Sequence, residues 1–117
     1  MKFKFEDLQV WQRAMDFAED IFSLSNHFPK TEIYNLTSQI LRASDSIALN
    51  ISEGAMNQRD PEFRRFLTYS IRSNAEVVTC LHKAKRRKYI SSEEFEDHYK
   101  KAFNLMNMLI ALKNKLK

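Results

Sequence analysis

Apolar residues along this chain recur every three or four positions rather than every second one, in four blocks separated by turn-forming residues. The first block predicts a helix from about Glu6 to His27, closed before Pro29 because proline disfavours helical geometry in the residue preceding it. Leu8, Trp11, Met15, Ala18 and Phe22 follow the spacing of a bundle seam, while Val10, Phe17, Ile21, Leu24 and Phe28 form a second stripe beside it. Together the stripes span about 200° of the helix, roughly twice what one core requires. The first stripe is therefore expected to face the core, and the second to form an oligomer interface with another copy.

The second block predicts a helix over about 32–53, capped by Thr31 and stopped by Gly54 in a left-handed conformation. Ile33, Leu36, Ile40, Ala43, Ile47 and Ile51 supply its core edge. A third helix, about 61–89, starts where Asp60 can cap and Pro61 takes the first position, and Phe63, Phe66, Ile71, Ala75, Val78 and Leu81 mark its apolar face. At 1.5 Å per residue it would be roughly 43 Å long. The fourth, about 92–116, opens on a capping box between Ser91 and Glu94. Its seam is Phe95, Tyr99, Ala102, Met106, Leu109 and Leu116, widened by Phe103 and Ile110. Short connections between such helices favour antiparallel neighbours, so the expected fold is all-α, an up-down-up-down four-helix bundle in one domain over residues 1–117.

Composition sharpens this picture. One Gly and two Pro leave almost no material for hairpins, which argues against an all-β fold. A single cysteine, Cys80, excludes an internal disulfide and a thiolate cage within one subunit, and a reducing, cytoplasmic location is expected. No long uninterrupted apolar run suggests a membrane span. The net charge of +4 makes contact with a polyanion physically reasonable.

No constellation predicts a reaction. His27, His82 and His98 share no ligand spacing and read as surface or helix-end residues, Cys80 as a small buried side chain, and neither a metal nor a cofactor is implied. Arg42, Ser46, Asn50 and Glu53 make one polar stripe on the second helix. They read as a structural network with Ser73 and Glu76 that pairs Arg42 with a carboxylate, although a binding site has the same spacing. On the third helix Arg65, Arg72 and Lys83 lead into Lys85, Arg86, Arg87 and Lys88. Two readings stand for these bases: a repeated phosphate-binding surface, or a solvated face that Glu76 partly neutralises.

The segments F-E-D-L-x-V-W-Q-x-A (5–14), F-P-K-x-E (28–32) and Q-I-x-R-A-S-x-S-I-x-x-N-I-x-E-G (39–54) resemble a known family. So do F-x-x-F-L (63–67), S-x-x-E (73–76) and Y-I (89–90). The family is that of the bacterial four-helix-bundle proteins encoded within intervening sequences of 23S ribosomal RNA genes. The resemblance implies a ring-like homopentamer without established catalytic activity and with a link to RNA. The accessory protein of diversity-generating retroelements is similar in fold and assembly, and there a basic pentamer works with nucleic acid. Two positions depart from the pattern: Asn35 and Lys88 stand where glycine is common. Lysine takes a left-handed conformation less readily than asparagine, so the turn after the third helix is expected to differ. The functional expectation is a non-enzymatic homo-oligomer that binds RNA or DNA through the basic stripe. The alternative is an oligomeric scaffold for a protein partner, with no nucleic-acid contact.

Overall fold

The computed structural model describes all 117 residues. A 3-10 turn, Lys4–Asp7, leads into α1 (Gln9–Ser25); a second, Lys30–Glu32, precedes α2 (Leu36–Ala55); α3 (Asp60–Arg86) and α4 (Ser92–Lys115) follow. Each helix packs against the next and α1 closes against α4, giving an antiparallel bundle measuring 44 × 23 × 23 Å.

Local chemistry accounts for most boundaries. The box at α4 forms: the Glu94 amide donates to Ser91 Oγ at 3.0 Å and the Ser91 amide donates to Glu94 Oε1 at 2.8 Å. Pro61 occupies the first turn of α3. Asp60, expected to cap that helix, lies within it and accepts instead from the Lys117 amide at 2.9 Å. The third helix ends at Arg86, short of Tyr89. Lys88 adopts φ 64°, and the Tyr89 and Lys88 amides donate to the carbonyls of Ala84 and Lys85, closing the helix as glycine commonly does. The turn thus keeps the left-handed geometry despite its lysine.

Several expectations are corrected. The α2 helix begins four residues later than Glu32, because Lys30–Glu32 forms a separate turn. Gly54 is helical and has no positive φ. A methyl group there would sit 2.7 Å from Phe66 Cβ and 2.8 Å from a Phe63 ring carbon, so this glycine serves the close approach of α2 and α3. On α1 the second stripe is core: Val10, Phe17, Ile21, Leu24 and Phe28, expected at an oligomer interface, are buried in the single chain, while of the first stripe Ala18 is buried and Leu8 and Trp11 pack against the core. Met15 and Phe22 of the supposed seam are exposed instead. The reason is direction of approach: both stripes are apolar enough to face a core, and only the positions of α2 and α4 decide between them.

The same rotation recurs in α3, whereas the expected α4 seam of Phe95, Ala102 and Leu109 is buried as read. The buried line of α3 is Leu67, Ser70, Asn74, Val77, Leu81 and Ala84, whereas Ala75 is exposed and Phe63, Phe66, Ile71 and Val78 are only half-buried. On α4, Leu105 is buried, and Phe103 and Ile110 are exposed rather than widening the core. Ile33 likewise lies outside it.

Candidate functional site

The segments that carried the family resemblance meet in pairs, and each meeting is structural. At one end of the bundle Glu32 is buried and accepts from Tyr89 Oη at 2.6 Å, Arg87 Nη1 at 3.1 Å, Asn35 Nδ2 at 3.0 Å and the Leu36 amide at 3.3 Å. The rings of Phe28 and Tyr89 pack at a tilt beside this latch, 5.7 Å apart. The Tyr89 hydroxyl foremost holds the Glu32 carboxyl below its ordinary range, against the opposing effect of burial. The same hydrogen bond, with burial, pushes the Tyr89 phenol up. A depressed carboxyl stabilises the fold above its ordinary value and loses that effect as pH falls through the shifted one. A raised phenol does so below its ordinary value and loses it at higher pH. The latch therefore holds across the whole neutral range.

Between α2 and α3 the contact is made by small polar side chains. Ser70 Oγ donates to the Ile47 carbonyl at 2.8 Å, and the Ser46 and Ser73 hydroxyls lie 2.6 Å apart. Asn50 Nδ2 donates within its own helix to the Ser46 carbonyl at 2.8 Å. Of the network expected from sequence, Ser46 and Ser73 are joined across the helices. Arg42, Glu53 and Glu76 are exposed, and none of the ion pairs in the molecule includes them, which corrects the expected pairing of Arg42. Ser70 and Asn74 were missed; the signal was their spacing of four on a line otherwise filled by apolar residues.

The basic residues divide by what they touch. Arg65 pairs with Glu62 at 2.9 Å and lies over the Phe66 ring at 5.3 Å. Arg87 belongs to the Glu32 latch, and Lys85 sits 4.6 Å over the Phe95 ring on the α4 side. Arg72, Lys83, Arg86 and Lys88 are exposed and have no carboxylate partner. Arg42 and Lys83 line a common groove between α2 and α3, with Gln39, Glu76 and Thr79 on its walls and Cys80 in its floor. Burial pushes the Cys80 thiol up, so it is not a ready thiolate.

The flanking grooves differ in kind. Between α3 and α4 the lining is Val78, Tyr99, Phe103 and Met106 around Asn74. Asn74 Nδ2 donates to the Ala102 carbonyl at 2.8 Å, and its buried Oδ1 meets no donor within the chain. Between α1 and α2 the lining is again mostly apolar, with Phe5, Trp11, Met15 and Leu49. The α1/α4 groove carries Arg13, Asp16, Asp20 and Lys101, the last paired with Asp20 at 3.0 Å. Around the bundle, apolar and charged flanks therefore alternate.

The histidines serve the fold separately. His27 pairs with Glu94 at 2.8 Å, His82 packs edge-on to Phe95, and His98 is buried with Nδ1 2.7 Å from the Glu94 carbonyl. His98 is thus no surface residue, contrary to expectation. No three His, Cys, Asp or Glu side chains converge as a metal-binding group, and no helix is long and apolar enough to cross a membrane.

Comparison with known proteins agrees with this architecture. The family model described as "23S rRNA-intervening sequence protein" matches residues 6–111. Among solved structures, the chain is similar to a protein with unknown function from the S23 ribosomal protein family of Bacteroides thetaiotaomicron, determined at 1.70 Å resolution. The TM-score is 0.82 at 25% identity, covering 89% of this chain and 97% of that one. No curated protein matches the chain.

Proposed function

Because the chain belongs to the 23S rRNA-intervening sequence protein family, we propose that it is a non-enzymatic, cytoplasmic homo-oligomer that binds RNA or other nucleic acid through a basic face. The observation that carries this reading is the alternation of flanks. The apolar α1/α2 and α3/α4 grooves lie on opposite sides of the bundle, while the α2/α3 flank between them bears unpaired arginine and lysine. Exposed Phe3, Met15, Phe22 and Leu49 on one side and Phe103 and Ile110 on the other form more apolar surface than scattered single residues would. Two different patches on opposite sides associate head to tail, and such contacts close into a ring when the rotation per copy allows. The homopentamer implied by the resemblance is one such closure. In a ring the basic flank repeats once per subunit, multiplying individually weak phosphate contacts.

Two measurements test the reading. Light scattering on the eluting protein is expected to give a mass several times 13.9 kDa. Binding of an oligouridylate over a salt series is expected to weaken linearly in log-log form as salt rises, the signature of displaced counterions. A stable monomer would end the oligomeric half. Absence of binding at low salt would end the nucleic-acid half and leave the scaffold for a protein partner as the better account.

A further inference from the structure

We infer that the nucleic-acid contact lies in the groove between α2 and α3, where Arg42 on one wall and Lys83 on the other clasp the phosphodiester backbone of a single strand. This rests on the proposed function and specifies its site and ligand. From sequence alone Arg42 belonged to an internal network and the densest basic run, Lys85 to Lys88, was the obvious contact. The structure separates them. Lys85 covers the Phe95 ring on the opposite flank of α3, and Arg87 is bound to the buried Glu32. Lys88 sits in the left-handed turn beyond the helix. Arg42 and Lys83, in contrast, come from different helices to one groove, both exposed and neither committed to a carboxylate.

The arrangement selects among polyanions. Cations on two facing walls can hold one backbone from both sides, whereas a duplex resting on the outside of a bundle meets only the ridges. Gln39 and Thr79 add uncharged polar groups between the bases. Arg72 and Arg86 continue the positive line along the outer face of α3. At 1.5 Å per residue, Arg86 lies about 5 Å and Arg72 roughly 16 Å along the axis from Lys83, so one extended strand can reach these cations at separate phosphates. Glu76 is the one acid in the groove and opposes the anion. Contacts of this kind are to backbone, so uridine and deoxythymidine oligomers should bind alike and sequence choice should be weak.

The test uses the full chain, fluorescein-labelled oligouridylate and three variants, each first matched to wild type in mass and melting temperature. R42Q/K83Q is expected to weaken binding about tenfold or more at low salt and to reduce the log-log salt slope by about 1.4, the value for two lost contacts to a single strand. E76Q is expected to strengthen binding, because a repulsive charge leaves the groove. K85Q/K88Q is expected to leave the slope unchanged, and an RNA duplex to bind more weakly than the single strand. If K85Q/K88Q lowers the slope while R42Q/K83Q does not, the groove is the wrong site although the protein still binds nucleic acid. Unchanged or weakened binding by E76Q also overturns the groove. If wild type fails to bind at low salt, the proposed function falls and this inference with it.

Discussion

Helix α3 presents two flanks that differ in kind. Toward α2 its neighbours are Ser46 and Ile47, met by Ser73 and Ser70 through short hydrogen bonds, and above that tight contact Arg42, Glu76 and Lys83 stand unpaired in water. Toward α4 one buried amide, Asn74, bonds the Ala102 carbonyl, and around it Val78, Phe103 and Met106 leave an apolar groove. Small polar groups let helices approach closely when their hydrogen bonds are met inside the pair. Large apolar groups on the α4 side remain at the surface, where another protein surface can cover them. One helix thus separates a polar, charged groove from an apolar one, and with them the proposed anion contact from the proposed self-association.

The largest effect should come from charging the apolar flank. Phe103→Lys with Ile110→Lys, both at exposed positions, is expected to convert the proposed oligomer to a species of 13.9 kDa by light scattering while the helical circular dichroism persists. An unchanged mass would show that this flank is not where copies meet.

Next is the tight flank. Gly54→Val introduces a branched side chain where even a methyl group meets Phe66 Cβ at 2.7 Å, and overpacking of this kind costs about 1–3 kcal/mol. Urea unfolding at matched protein concentration measures it; a variant as stable as wild type would mean that α2 and α3 can separate freely.

The smallest effect concerns neither flank. Lys88→Gly relieves a left-handed lysine and should raise stability by about 1 kcal/mol in the same measurement. Its oligouridylate affinity should match wild type, since this turn lies outside the α2/α3 groove. A large loss of affinity would move the anion contact to the end of the bundle and blur the division between the two flanks.

Much of the fold was legible without coordinates. Pro61, the Ser91–Glu94 box and the three-and-four spacing located four helices, because these signals act within one or two turns of chain. The candidate site was less legible. Ser46 and Ser73 were paired correctly by face and spacing, but Arg42 was assigned to the same network when it stands in solvent. The run from Lys85 to Lys88 looked like one basic patch, yet its members point to α4, to solvent and to the Glu32 latch. Consecutive residues on a helix diverge by about 100°, so density in sequence is not density on a surface.

The sequence by itself determined the number of helices, most of their ends, the antiparallel connection of neighbours and the family. Each depends on local backbone preference and on the period of apolar residues. Only the tertiary structure decided which of two apolar stripes on α1 is core, why Gly54 is needed, and which bases share a groove. Those outcomes depend on the direction and closeness with which one helix meets another. Hydrophobic periodicity states that a face is to be buried, while the placement of the neighbouring helices decides against which of them and how deeply.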